Sequence, residues 1–167
     1  LGVGGHSRGG KASIFAATLD PRIRASLNVD PVDAGPPFGG NPTDFPSVTP
    51  ELMGSLAIPM GFVGASEGAS GFPACAPADN NYRQYFNAAP SPAFEYVVRD
   101  SGHNDFVADC NVTCRFACPR GSEGARALAY AQTVTVAFYK VFLAGDTSYR
   151  PWVDGAQVPS WVVFSAR

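Results

Sequence analysis

Apolar residues along the chain fall into short blocks whose spacing differs from one block to the next. Two blocks have the period of a helix, residues 9–20 and the longer stretch 123–144. In the second block, one predicted face carries Leu128, Ala131, Thr135, Phe138 and Phe142. Shorter continuous apolar runs, typical of buried strands, are bounded by Gly, Pro and Asp. These runs occupy residues 23–30, 56–66, 93–103 and 159–164.

The order of these blocks predicts an α/β fold. A strand end at residues 1–5 leads through a glycine-rich turn into the helix 9–20, and strands then alternate with helices at 78–89 and 123–144. Such alternation is typical of a mostly parallel sheet covered by helices. Because the first strand is so short, we expect residues 1–167 to form one partial domain, the C-terminal portion of a larger fold whose N-terminal strands are absent. The helix 9–20 is apolar nearly all round, which predicts a buried helix.

Composition and charge exclude several classes of function. Hydrophobic residues make up 46% of the chain and charged residues 16%, with a formal net charge of −2. This is the balance of a globular domain large enough to bury a core. Without a basic cluster, we expect no binding to nucleic acid or to an anionic membrane surface. No apolar stretch reaches the ~20 residues that span a bilayer.

The four cysteines are Cys75, Cys110, Cys114 and Cys118. The last three have the spacing C-x3-C-x3-C, which lacks the C-x2-C pair and the fourth ligand of a zinc or iron–sulfur site, so we expect no metal. An even number of cysteines in a region rich in Pro and Gly favours two disulfides, and with them a secreted or otherwise oxidising location. Three pairings are possible, and the sequence does not choose among them.

The clearest chemical motif is G-H-S-R-G at residues 5–9, which fits G-x-S-x-G at a strand-to-helix junction. A nucleophilic serine needs a sharp, strained turn there. Gly5 and Gly9 would let the strand and the helix approach each other, and Gly10 would add further clearance. The motif predicts Ser7 as the nucleophile and the backbone N–H of Arg8 as one oxyanion donor. The second donor is expected from a loop after an earlier strand, outside this chain.

Of the two histidines, His103 is the candidate general base for Ser7. It lies in a turn that follows an apolar run, and such a turn can bring its ring over the edge of the sheet. His6 adjoins Ser7 on the elbow, where neighbouring side chains diverge, so we expect it to pack or hydrogen-bond behind the turn.

The acidic partner of His103 has several candidates. Asp30 closes the strand 23–30 and is followed by a proline, at the strand end where catalytic groups gather. This placement favours Asp30. Asp33, Glu67 and Asp79 also lie after strand ends and remain open as alternatives.

Three segments together resemble a known family: GHSRGGK at residues 5–11, NVDPVDAG at 28–35 and SGHNDF at 101–106. Chlorophyllases carry a lipase-type GHSRGGK, a strand ending in DPVDG and a later Gly-His, in this order. The chain differs by one alanine inserted in DPVDAG. The resemblance implies an α/β-hydrolase fold, in which Ser7, Asp30 and His103 match the triad positions of the family.

The resemblance implies a serine carboxylic-ester hydrolase that needs no cofactor and cleaves chlorophyll to chlorophyllide and phytol. The cysteine-rich segments are also similar to bacterial secreted esterases and lipases, and the early acid to platelet-activating-factor acetylhydrolases, so a general esterase of this fold is an alternative. A catalytically silent homologue that serves as a binding module is an alternative of another class. The expected partner is a small-molecule ester with an apolar group. Aromatic loop residues would line its pocket or belong to the core: Phe38, Phe45, Phe72, Tyr82 and Phe106.

Overall fold

A five-stranded sheet forms the centre of the fold in the computed structural model, which describes residues 1–35, 41–72, 74–118 and 120–167. In chain order and in spatial order the strands are β1 Gly2–Val3, β2 Ala25–Val29, β3 Met60–Ala65, β4 Ala93–Val98 and β5 Val162–Ala166. The strands β1 to β4 are parallel, and β5 runs antiparallel to β4. All residues of β3 and β4 are buried, as in sheets covered on both faces. The predicted α/β fold with a mostly parallel sheet is confirmed.

Helices cover the sheet and connect its strands. They are α1 Arg8–Leu19, α2 Tyr82–Ala88, α3 Val112–Ala117, α4 Gly124–Phe142 and α5 Arg150–Val153. The sequence pattern predicts α1, α2 and α4, whereas α3 and α5 are too short to show a helical period. Just beyond α4, Gly145 adopts a φ of 70°, a left-handed conformation that suits glycine after a helix end. No helix within the described ranges is both long and apolar enough to cross a membrane.

Two hydrophobic clusters lie on the two faces of the sheet. Successive side chains of a strand point to opposite faces, so neighbouring residues of β3 belong to different clusters. Val63 packs in the cluster that contains Val134 and Phe138 of α4, and Phe62 packs in the cluster that contains Ile14 of α1. The sheet is therefore held between α4 on one face and α1 and α2 on the other.

The helix α1 is not buried on all sides, contrary to the expectation from its composition. Gly10, Lys11, Ile14 and Ala17 are buried, whereas Leu19 is 68% exposed. The helix packs on the sheet through one face, and single apolar residues on its other face are ordinary on a protein surface.

The buried face of α4 also differs in part from the predicted one. Ala131 and Phe138 are buried, but Leu128 and Thr135 are only half-buried. Contact with the sheet is centred on Val134, which is 1% exposed, and on the small residues beside it. The spacing of the larger apolar residues does not predict this buried face, because the alanines on it are what let α4 approach the sheet closely.

Two disulfides close the cysteine-rich region, and the structure settles their pairing. Cys75 is bonded to Cys118, and Cys110 to Cys114. The first disulfide joins the loop after β3 to the residue after α3, and the second spans the start of α3. Two disulfides are compatible with an oxidising compartment.

Candidate active site

Ser7 lies on a sharp turn between β1 and α1. Its φ of 57° and ψ of −127° are values that residues with a Cβ rarely adopt. Its N–H donates to the carbonyl of Val29 (3.1 Å), and its carbonyl accepts from the N–H groups of Gly10 (3.0 Å) and Val32 (3.2 Å). These bonds tie the turn to the end of β2 and to the first turn of α1, so the strained conformation is held by its surroundings.

Two glycines allow β1 and α1 to pass close to each other at the turn that carries Ser7. A Cβ on Gly5 would lie 2.4 Å from the carbonyl carbon of Gly9, and a Cβ on Gly10 would lie 2.7 Å from the Cβ of Pro31. A Cβ on Gly9, by contrast, would meet nothing within 4 Å. The expected need for space is confirmed at Gly5 and Gly10 and is wrong at Gly9, where the backbone makes the close contact and a side chain would meet no neighbour.

His103 begins a single turn of 3₁₀-helix, His103–Phe106, that follows β4. Its Nε2 atom lies 3.0 Å from Oγ of Ser7, and its Nδ1 atom lies 2.7 Å from Oδ2 of Asp30. An ionised carboxylate can only accept hydrogen bonds, so Nδ1–H donates to Asp30. In the neutral ring Nε2 is then an acceptor for the hydroxyl of Ser7.

Asp30 directly follows β2, and its side chain is completely buried. Its φ of 42° is left-handed, a region that Asp enters more readily than most residues. Its Oδ1 atom accepts from the N–H of Ala65 (3.1 Å). On the other side, a Cβ on Gly68 would come within 2.9 Å of Oδ2, so the glycine leaves room for the carboxylate. With a backbone donor on one oxygen and His103 on the other, the carboxylate has a fixed orientation.

The other acids that the sequence leaves open are engaged elsewhere. Asp33 belongs to a buried ion pair with a lysine of α1. Glu67 accepts hydrogen bonds from serines of its own loop, and Asp79 is exposed. The carboxylate that contacts His103 is that of Asp30.

His6 hydrogen-bonds behind the elbow, as its position predicts. Its Nε2 atom lies 2.9 Å from the backbone carbonyl oxygen of His103, and the two ring centroids are 4.5 Å apart. A carbonyl only accepts, so Nε2 of His6 donates. Burial, followed by the proximity of His103, lowers the pKa of His6 below its usual value. The ring of His6 is therefore favoured in its neutral form beside His103.

Asp105 is a buried acid near His103 to which the sequence analysis assigns no function. The carboxylate of Asp105 accepts from the N–H groups of Gly102 and Gly121 and from Nε of Arg120. The available sequence signal is an acid two positions after the candidate base. Its partners at residues 120–121 are brought to it only by the fold.

The N–H of Arg8 lies in the first turn of α1, next to Ser7. N–H groups of a first turn have no acceptor within the helix, and the helix dipole adds partial positive charge there. This end of α1 is therefore suited to hold a negatively charged oxygen. In the part of the chain that the structure describes, no group of three or more His, Cys, Asp and Glu residues is arranged to hold a metal ion.

An open cavity of about 420 Å³ leads to Ser7 and His103. Its size lies within the range of small-molecule sites, about 300–1,000 Å³. The Cys75–Cys118 disulfide forms part of its wall. The remaining lining residues are mostly small: Arg8, Val32, Ala34, Ala74, Pro77 and Asn104.

The aromatic residues considered for the pocket lie outside this cavity. Tyr82 and Phe106 belong to the two core clusters, and Phe72 is fully exposed. Phe45 lines a smaller groove of about 190 Å³ along α1. Phe38 lies outside the described residues. For Tyr82 and Phe106 the core interpretation is the correct one.

Comparison with known proteins gives the same family for almost the entire chain. The family model described as Chlorophyllase matches residues 1–158. Chlorophyllase-2 of Arabidopsis thaliana is 28% identical over 159 residues, which cover 86% of this chain and 50% of that protein. Chlorophyllase-1 of the same plant is 33% identical over 115 residues, or 63% of this chain and 35% of that protein.

A third relative, "Chlorophyllase-1, chloroplastic" of Citrus unshiu, is 30% identical over 156 residues, which cover 87% of this chain and 46% of that protein. The chain spans about half the length of the curated relatives it matches. Since the family model extends over residues 1–158 and includes all three residues of the Ser7–His103–Asp30 arrangement, the chain belongs to the chlorophyllase family.

Proposed function

We propose that residues 1–167 are the catalytic half of an α/β-hydrolase domain that hydrolyses carboxylic esters with Ser7, His103 and Asp30 as its triad. The observation that carries this proposal is the continuous chain of hydrogen bonds from Oγ of Ser7 through both ring nitrogens of His103 to Asp30, at 3.0 and 2.7 Å. Such an arrangement activates a serine whose hydroxyl is otherwise a weak nucleophile.

In the first half of the reaction, Oγ of Ser7 forms a bond to the carbonyl carbon of the ester while its proton passes to Nε2 of His103. The carbonyl oxygen becomes negatively charged, and the N–H of Arg8 at the start of α1 stabilises it. The bond to the alcohol oxygen then breaks, and this oxygen takes the proton from Nε2. The alcohol leaves, and the acyl group remains on Ser7.

In the second half, His103 removes a proton from a water molecule, whose oxygen attacks the acyl carbon. The proton returns from Nε2 to Oγ as the acid is released, which restores the starting state. Asp30 accepts the Nδ1–H bond throughout, holds the ring in its working tautomer and stabilises the imidazolium. No cofactor is needed to balance these steps.

We propose chlorophyll as the substrate, cleaved to chlorophyllide and phytol. Support comes from the names of the matched relatives and from the agreement of GHSRGGK, DPVD and SGH with the pattern of that family. A general esterase or lipase activity is the second candidate, favoured by the two disulfides, because the cysteine-rich segments that form them resemble those of bacterial secreted esterases. These disulfides favour an oxidising location for the protein.

A silent homologue that only binds its ligand is the alternative of another class. It would be expected to lose at least one member of the triad or its hydrogen bonds. Here Asp30 and His103 are buried, and Ser7 keeps its hydrogen bond to the ring. This completeness supports catalysis.

The test uses the full-length protein, incubated separately with chlorophyll and with a short-chain p-nitrophenyl ester. The variants are Ser7→Ala and, as a matched control, Ser70→Ala, which removes an exposed loop hydroxyl. We expect chlorophyllide from the wild type and from Ser70→Ala but not from Ser7→Ala, together with labelling of Ser7 by a fluorophosphonate. Nitrophenol release without chlorophyllide would identify a general esterase. Absence of any Ser7-dependent product and of labelling would favour the binding module.

A further inference from the structure

Asp105 holds a carboxylate with no solvent exposure beside the turn that carries His103. Its Oδ2 atom accepts from the N–H groups of Gly102 (2.7 Å) and Gly121 (2.8 Å). Its Oδ1 atom lies 2.6 Å from Nε of Arg120. A buried carboxylate is tolerated only when charge and hydrogen bonds compensate for its lost hydration, and here three donors do so.

These donors come from two segments that are distant along the chain. Gly102 immediately precedes His103, whereas residues 120–121 follow α3. The same two segments meet again through the backbone, since the N–H of Glu123 donates to the carbonyl of Asp100 (3.1 Å). Asp105 therefore fastens the turn of His103 to the segment that leads into α4.

We propose that Asp105 is a positioning residue for His103, with the Arg120 guanidinium as its charged partner. The inference rests on the proposed role of His103 as the general base. His103 must reach Ser7 on one side and Asp30 on the other at hydrogen-bond distance. Rotation or displacement of its turn would break both contacts while the catalytic residues themselves stayed intact. Displacement of a catalytic group by about 1 Å can lower the rate by roughly 100-fold.

The direct test is Asp105→Asn in the full-length protein, assayed with whichever ester the wild type hydrolyses. An amide has the shape of the carboxylate but only one accepting oxygen, so it cannot serve the backbone donors and Arg120 together. We expect kcat to fall by roughly 100-fold with KM unchanged. Asp109→Asn is the matched control, because Asp109 is an exposed acid four positions further along the chain. It should keep the kcat of the wild type.

A second pair of variants separates positioning from folding. The side chain of Arg120 is 36% exposed, so Arg120→Met removes the charged donor without opening the core. Arg120→Lys keeps a cation that can reach the carboxylate. We expect Arg120→Met to lower kcat at constant KM and Arg120→Lys to recover much of the loss. If the contact between Asp105 and Arg120 served only the stability of the fold, the two variants would differ from the wild type in melting temperature but would have equal kcat values.

The outcomes distinguish the two proposals. If the wild type shows no Ser7-dependent hydrolysis, the proposed function is wrong, and the positioning role falls with it. If the wild type is active while folded Asp105→Asn keeps its kcat, only the positioning role is wrong. If Asp105→Asn does not fold, the Arg120 pair decides: a lower kcat in Arg120→Met that Arg120→Lys restores supports the role, and equal kcat values overturn it.

Discussion

The Nζ atom of Lys11 lies 2.9 Å from Oδ1 of Asp33, and both side chains are almost completely buried. Lys11 also donates to the backbone carbonyls of Ala34 and Phe45, so it joins α1 to two loops. Asp33 accepts further hydrogen bonds from Ser47, Val48 and Thr49. The ion pair thus fastens the loop at residues 44–49 to the turn that follows β2.

This pair separates the roles of the two aspartates in the D-P-V-D segment, where the sequence favours Asp30 as the acid and leaves Asp33 open as an alternative. Asp30→Asn should lower kcat by about 10,000-fold, since an amide can stabilise the wrong tautomer of His103, with little change in stability. Asp33→Asn should leave kcat nearly unchanged and lower the free energy of unfolding by roughly 3–5 kcal/mol, because Lys11 is left buried without its counter-charge. Steady-state kinetics and urea unfolding of both variants measure the difference.

An exposed ion pair provides the control for Asp33→Asn. Arg22 and Asp20 are bonded at 2.7 Å, but the side chain of Arg22 is 77% exposed. Asp20→Asn should therefore leave the unfolding curve unchanged. Loss of activity in Asp33→Asn together with full activity in Asp30→Asn would show that the acid of the triad has been misassigned.

The two disulfides should contribute unequally to stability. Cys75–Cys118 spans a sequence separation of 43 residues, and Cys110–Cys114 spans 4. In the chain-entropy model these loops correspond to about 4 and about 2 kcal/mol. Replacing both cysteines of the first pair with alanine should therefore lower the free energy of unfolding more than replacing both of the second.

Urea unfolding of the two double variants provides this comparison, and peptide mapping without reductant verifies the pairing. The mapping should give one cross-linked peptide that contains Cys75 and Cys118. A cross-link from Cys75 to Cys110 or Cys114 would contradict the structure.

Local features of the fold follow from the sequence because each depends on a few neighbouring residues. The strands β2 to β5 and the helices α1, α2 and α4 have an apolar period or an unbroken apolar run that reveals them. The G-H-S-R-G segment predicts the strained turn at Ser7 for the same reason, since glycines lie two positions before and two positions after the serine.

Features that depend on distant partners do not follow from the sequence. The position at the strand end favours Asp30 over Asp33, but the contact of Asp30 with His103 depends on the packing of β2 against β3, where the N–H of Ala65 holds the carboxylate. The pairing of the cysteines and the meeting of Asp105 with Arg120 likewise depend on how loops from different strands fold together. No short-range pattern contains this information.

His6 should make the stability of the protein fall on mild acidification. Burial, followed by the proximity of His103, lowers its pKa in the folded state below the ordinary value of 6.5. The unfolded chain then binds a proton at a higher pH than the folded chain does. The contribution of neutral His6 to the stability of the folded protein is therefore complete above about pH 6.5. It is lost as the pH falls toward the pKa of His6 in the folded state.

Unfolding of the wild type and of His6→Gln at about pH 7.5 and about pH 5.5 tests this. Glutamine can still donate to the carbonyl of His103 but does not titrate in this range. Other groups, such as Glu95, whose pKa is raised by burial, are present in both proteins and cancel in the difference. We expect a larger loss of stability on acidification in the wild type. Parallel losses would show that His6 titrates normally in the folded state.

Gly5, Gly9 and Gly10 beside the turn of Ser7 should respond differently to a single added methyl group. In Gly5→Ala the new Cβ would press on the backbone of Gly9, and in Gly10→Ala it would press on Pro31. Both changes force the strand and the helix apart, so labelling of Ser7 by a fluorophosphonate should slow and the melting temperature should fall. Gly9→Ala places its methyl group in open space within α1 and should keep the labelling rate. It can add up to about 1 kcal/mol of stability, because alanine favours a helix more than glycine does. Slow labelling in Gly9→Ala combined with normal labelling in Gly5→Ala would contradict this geometry of the elbow.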